Sequence, residues 1–281
     1  MIYFKRTLEY LFKLEKGKRF FILFLMSLPV GLGAALTAPH HVYNEWLSSF
    51  TVGNRNFLDA MMFNGVANPI RVLIAGAITV VLLLVCISIM ASVISRNLRV
   101  GVFSVNRLFI EFNEAIFPSF FAVTSMMLVV VVSKVLLGVL LVLFQTISSI
   151  LLSQILSVFA LLLIVALVCY AISVGMLYLP SMTINGLRPL VAFAESANKL
   201  GGKKGGTMFL SVFLPILLNY VIGGLVSMAN NLIVSLVVES VCYALSLVYL
   251  ITLSFISYYE INELPREDYP REFFFTKIKR R

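Results

Sequence analysis

The chain has 281 residues, 60% of them hydrophobic and 12% charged, with a formal net charge of +9 and a mean hydropathy of +0.99. That composition lies far outside the range of water-soluble domains and marks a protein that must satisfy lipid as well as water. The positive charge is spread over several segments and forms no single basic patch, which excludes a nucleic-acid partner and favours anionic lipid headgroups instead.

A helix crossing the bilayer needs about 20 apolar residues at a rise of about 1.5 Å each. In chain order, an amphipathic stretch comes first, Tyr3–Glu15, with Phe4, Leu8, Leu11 and Phe12 on one face at helical spacing and Lys5, Arg6, Glu9 and Lys13 on the others. Six spans follow: Phe20–Ala38, Ile70–Ile94, Ser119–Val142, Leu152–Leu179, Met208–Met228 and Leu232–Ser257. The third and fourth are parted at Gln145–Ser149, the only polar interruption in an apolar run from Phe117 to Leu179 that is about three times too long for one crossing. Unbroken apolar runs exclude a β-barrel, whose strands would alternate. The expected fold is all-α and polytopic, a single integral membrane domain over residues 1–281.

Lysine and arginine set the expected orientation. Of the 22 basic residues, all but Arg55, Arg71 and Lys134 fall before the first span, after an even-numbered one, or after the last. The positive-inside rule then places both termini in the cytosol. Residues 1–19 become a cytoplasmic amphipathic segment, 39–69 an outer loop, 180–207 a cytoplasmic loop and 259–281 a cytoplasmic basic tail. No cleavable signal peptide is expected, because the first apolar run follows a long charged stretch and is itself long enough to span.

Two of the inner segments share a pattern. Arg107-Leu-Phe-Ile-Glu-Phe112-Asn-Glu114 precedes the third span and Arg188-Pro-Leu-Val-Ala-Phe193-Ala-Glu195 the fifth, both reading Arg-x4-Phe-x-Glu. With the amphipathic stretch before the first span, the chain divides into three parallel units, each a surface helix followed by a helical hairpin.

The segment after the fourth span, Leu179 to Gly201, resembles one group of bacterial proteins: the membrane domains fused to some glycerophosphodiester phosphodiesterases, with their free-standing relatives of unknown function. Pro189, Ala192 or Ala194, Ser196, Leu200 and Gly201 approximate the "Pro-x-x-Ala…Ser…Leu-x-x-Gly" run of that group, and the six-helix architecture agrees over nearly the whole chain. The resemblance implies a bacterial inner-membrane setting. These 281 residues contain no phosphodiesterase catalytic domain, so that activity is not carried over.

Candidate functional residues are few. Lys134 in the third span and Glu239 in the sixth lie at matching depth, roughly 10 to 15 Å below the outer surface. Each costs about 2.5–3.5 kcal/mol at mid-membrane on insertion scales. An ion pair across a helix interface relieves that cost. Two alternatives stay open: Lys134 snorkels to the headgroups while Glu239 is protonated or meets a crevice, or the pair belongs to a substrate or proton site. Pro215, Asn219, Gly223 and Gly224 in the fifth span form a run that could break the helix, as in transporters, or pack it closely. Arg188, Lys199, Lys203 and Lys204 are expected at lipid headgroups.

The remaining motifs carry bland readings. Gly201-Gly-Lys-Lys-Gly-Gly-Thr207 has no strand before it and no Gly-Lys-Ser/Thr ending, so it is a basic loop and no phosphate cradle. His40, His41 and Glu45 lack further ligands, Tyr43 and Trp46 read as interfacial anchors, and the Phe273–Arg281 tail suits an anionic leaflet. Cys86, Cys169 and Cys242 lie in spans as small apolar residues. No His or Asp falls within a span, so no catalytic set, metal or cofactor is expected. The expected role is that of a non-enzymatic module associated with membrane lipids and a protein partner in the membrane, or alternatively a transporter or transporter subunit for a small molecule or lipid.

Overall fold

The structure is a computed structural model that describes residues 2–13, 17–37, 69–101, 103, 108–147, 150–227 and 231–268. Every regular element among them is helical. α1 (Ile2–Leu8) continues into a π-helical turn, Glu9–Lys13, and is followed by α2 (Lys18–Thr37), α3 (Pro69–Val100), α4 (Leu108–Gln145), α5 (Ile150–Val174), α6 (Tyr178–Asn185), α7 (Pro189–Lys199), α8 (Lys203–Ser227) and α9 (Leu232–Ile261). Six helical stretches are long and apolar enough to cross a membrane: Lys18–Thr37, Ile74–Val100, Phe112–Phe144, Ile155–Asn185, Lys204–Gly223 and Ile233–Ile261. The chain is an all-α, polytopic membrane protein.

The long helices neighbour one another in chain order, α2 on α3, α3 on α4, α4 on α5, α5 on α8 and α8 on α9, and α9 closes the ring by packing along α2. That last contact is the most extensive in the protein because small residues let the backbones meet. A Cβ on Gly31 of α2 would stand 2.2 Å from the Ser240 carbonyl of α9, and one on Gly33 would stand 2.5 Å from Thr79 Oγ1 of α3. One small-residue run therefore serves two interfaces.

The shorter elements gather at one end of the bundle, around the last turns of α3 and α9. There Met90, Ile94 and Leu98 of α3 and Leu253, Phe255, Ile256 and Tyr258 of α9 are buried on several sides. α1 packs against α9 and α8, α6 against α4, α7, α9 and α3. The four segments placed on one side by their basic residues do converge at one end.

The structure departs from the sequence reading in four places. The helix of the fourth span is interrupted after Val174, five residues short of Leu179, and resumes as α6 after a turn at 175–177. α4 runs unbroken from Leu108 through Pro118 to Gln145, so the middle unit has no separate surface helix and the threefold repeat is incomplete. The first turn of α8 begins at Lys203, which makes helix out of most of the expected Gly201–Thr207 loop. On α1 the buried stripe is Tyr3, Thr7, Tyr10 and Leu11, and Phe12 on the predicted apolar face is exposed. Thr7 Oγ1 donates to the Tyr3 carbonyl at 2.8 Å, while on the predicted apolar face Leu11 is buried and Phe4 and Leu8 are half-buried, Phe4 lying 5.8 Å from the Tyr249 ring of α9.

Candidate functional site

The polar groups of the described chain concentrate in a collar around the end of α9, built from two networks. The first begins where α9 stops. Asn262 ends the helix, Leu264–Asp268 turns back beneath α3, and Glu267 N–H donates to the Leu98 carbonyl at 3.0 Å. Gly101 permits that approach: its φ is +76° and a Cβ would lie 2.6 Å from the Glu267 carbonyl oxygen.

The turn delivers Asp268 to the start of α2. Its Oδ2 lies 3.2 Å from Arg19 Nη1, with both side chains buried, and Arg266 closes a fork on the same carboxylate at 3.1 and 3.0 Å. Arg19 also stacks 4.8 Å over the Tyr10 ring. Arg266 continues to Glu260 at 3.4 Å, and Glu260 to Arg6 of α1 at 3.9 Å. Burial, and after it the Glu260 charge, hold the neighbouring Tyr3 hydroxyl above its ordinary pKa. Four chain segments are thus locked by charges that would be costly to bury singly.

The second network is built on α7. Gly186, at φ +64°, ends α6, and Pro189 starts α7 at a position where its missing N–H costs nothing. This sets Ser196 against the end of α5, where its hydroxyl donates to the Val174 carbonyl at 2.5 Å and accepts the Leu177 N–H at 3.2 Å. A side chain inserted into the ladder is what interrupts the helix after Val174. The preceding residue, Glu195, accepts from Ser181 at 3.0 Å and pairs with Lys199 one turn on, which also bonds Asn262 and lies over the Tyr258 ring; Tyr258 in turn accepts from Asn185 at 2.6 Å.

These contacts place the residues singled out from the sequence. Ser196, Ala192 and Leu200 are buried and structural. Of the expected headgroup residues, Arg188 and Lys204 are exposed, Lys199 is engaged by Glu195 and Asn262, and the Lys203 side chain lies outside the described residues. His40, His41, Tyr43, Glu45, Trp46, Arg107 and the Phe273–Arg281 tail also lie outside them.

Within the spans, Pro215 does not break α8, which continues past Asn219, Gly223 and Gly224. Lacking an N–H, Pro215 frees the carbonyl of Ser211 one turn earlier. The Tyr249 hydroxyl of α9 donates to that carbonyl at 2.9 Å, and one turn on, Asn219 Nδ2 donates to Ser246 Oγ at 3.2 Å. Cys86 and Cys169 are buried, and Cys86 donates to the Met26 carbonyl of α2 at 3.4 Å.

Lys134 and Glu239 occupy different packings. Lys134 lines a cavity of about 200 Å³ between α4, α5 and α8, beside Ser133, Leu161 and Ile216. Glu239 is buried on α9, accepts from Ser235 at 2.8 Å, and stands next in sequence to Ser240, whose carbonyl meets Gly31 of α2. A second cavity, of about 180 Å³ along the bundle axis, is lined chiefly by apolar residues such as Ile87, Val123, Met176 and Ile251.

The Arg19–Asp268–Arg266 network and the Tyr249–Ser211 bond carry no motif in the sequence, whereas Ser196, Glu195 and Lys199 of the second network lie among the residues the sequence singles out. Among comparisons with known proteins, no family model, no curated protein and no solved structure matches this chain.

Proposed function

We propose that this chain is a non-enzymatic membrane module that associates with lipid and with a protein partner of the cell envelope, akin to the membrane domains of bacterial glycerophosphodiester phosphodiesterases and their free-standing relatives. In this reading it resides in a bacterial inner membrane with both termini, and hence the collar, on the cytoplasmic side. The observation that carries it is the use of charge: Arg19, Arg266, Arg6, Asp268 and Glu260 spend their charges on one another to fasten chain segments, and α7 beside them turns Leu190, Val191 and Phe193 outward. Leu190 is 86% exposed. An amphipathic helix held this firmly, with its apolar face free, suits a surface on which a membrane neighbour or the leaflet itself rests.

The test is extraction of the full chain from bacterial membranes in polymer nanodiscs. A stoichiometric membrane partner is expected, and Leu190→Ser with Phe193→Ser should release it while the bundle keeps its unfolding temperature. A chain that emerges alone and moves a solute across proteoliposomes would overturn the module. Transport is the second reading, favoured by the Lys134 side chain lining a cavity between α4, α5 and α8 within a spanning segment. It requires that Lys134→Met abolish the flux.

A further inference from the structure

Between α8 and α9, closed at one end by Phe4 of α1, runs a groove of about 370 Å³. Ligand pockets in general occupy about 300–1,000 Å³. Leu210, Leu214, Leu218 and Ile222 form one wall, so it extends along α8 by about 18 Å. The groove also borders four polar residues whose donors are largely engaged: the Tyr249 hydroxyl donates to the Ser211 carbonyl and the Asn219 amide to Ser246, while the Asn219 Oδ1 is buried without a hydrogen-bond partner among the described residues. The surface of the groove is nonetheless chiefly carbon. It suits a hydrocarbon occupant, and the length selects its kind, since one leaflet of a bilayer has a hydrocarbon depth of about 15 Å.

The Phe4 end of the groove is cationic. Phe4 separates the groove from a neighbouring surface depression bordered by Lys5 and Lys13, with Glu9 between them. Lys204, exposed in the first turn of α8, precedes Leu210 by about 9 Å of helix. A chain lying in the groove would bring its headgroup to these lysines, at the end of the bundle where α1 lies.

We propose that the groove is a built site for one acyl chain of an anionic glycerophospholipid from the leaflet facing α1, with Lys5 and Lys204 contacting its phosphate. This rests on the lipid-associated reading above and names the lipid. The chain is stabilised by displacing no ordered polar contact, and the phosphate by two cations near the membrane surface.

The test is native mass spectrometry of the purified full chain, incubated with phosphatidylglycerol or with phosphatidylcholine of identical chains. One tightly held phosphatidylglycerol is expected, preferred roughly tenfold or more, as two surface lysines would supply. Leu218→Trp, at a groove position already 63% exposed, should reduce retention of both lipids several-fold, whereas Leu162→Trp on the outer face of α5 should not. Lys5→Ala with Lys204→Ala should remove the preference and keep the retained chain. Unchanged retention in L218W, or an equal loss in L162W, would show ordinary surrounding lipid and overturn the site. A preference that survives loss of both lysines would overturn the headgroup assignment. A chain that holds this lipid yet has no protein partner sinks the module reading alone, and a partnered chain with an empty groove sinks only this one.

Discussion

Arg19 and Asp268 meet at 3.2 Å with both side chains buried, although 249 residues separate them. The pair joins the first spanning helix to the segment that follows the last, so the ring of helices is closed twice, once by the α2–α9 packing and once by charge. Asp268 is the centre of that closure because Arg266 forks onto the same carboxylate.

Breaking a buried pair from one side leaves the other charge behind in a poor solvent. Asp268→Asn removes the buried negative charge that Arg19 and Arg266 share and is expected to cost about 3–5 kcal/mol. Replacing Arg19 and Asp268 together by leucine should cost less than D268N alone. Denaturant unfolding in detergent, followed by helical circular dichroism, measures both; a double variant as damaged as D268N would contradict the account.

Ser196 makes a separable prediction. Its hydroxyl serves one carbonyl and one N–H at the α5–α6 turn, so Ser196→Ala should leave both unmet and cost about 1–3 kcal/mol. Hydrogen exchange gives the sharper readout. The Leu177 amide should lose protection, while amides in the middle of α5, which keep their helical partners, should not change.

Tyr249 and Pro215 form a compensating pair. Tyr249→Phe leaves the Ser211 carbonyl without a donor, and about 1–3 kcal/mol should be lost. Pro215→Ala returns an N–H to that carbonyl through the helix ladder. In the P215A background, Y249F should therefore cost well under half as much, and additivity in the double-mutant cycle would disprove the link.

The spans were legible because a bilayer crossing is a local property: a run of apolar residues states its own length. The collar was not, and the reason is distance along the chain. Arg19 and Asp268 each look like surface charges near a span end, and nothing in either neighbourhood announces a partner 249 residues away. Ser196 stands in a sequence motif, yet its effect falls on Val174 at the end of α5 and on Leu177 in the turn after it, so periodicity alone carries one unbroken helix through a turn. On the segment before α2 the apolar face of Phe4, Leu8, Leu11 and Phe12 divides, Leu11 buried and Phe12 exposed, because in a membrane protein an apolar residue has two solvents, the core and the lipid. Gly31 stands in a run of small residues, Gly31-Leu-Gly-Ala-Ala35, that suits close helix packing, but nothing in the run says which helix it meets.

Gly31 and Gly76 give a contrast within one kind of substitution. A methyl group at Gly31 would lie 2.2 Å from a backbone oxygen of α9, so Gly31→Ala must push the two closest helices apart. The loss should reach about 1–3 kcal/mol, the usual scale for overpacking. Gly76 of α3 has nothing within 4 Å of a built Cβ, so Gly76→Ala should only gain helix propensity, up to about 1 kcal/mol. Thermal unfolding of the two variants side by side should move in opposite directions.

Lys134 and Glu239 supply the last test, because their depths suggested a pair and their surroundings differ. Lys134 lines a space between α4, α5 and α8, while Glu239 is bonded to Ser235 on α9. Changes at sites with separate neighbours add to within about 0.5 kcal/mol, whereas a shared ion pair couples them. Lys134→Met and Glu239→Gln are therefore expected to add in unfolding free energy. Coupling above about 1 kcal/mol would require the two charges to meet across the interior, and would move Glu239 from a helix-packing role to the counter-ion of Lys134.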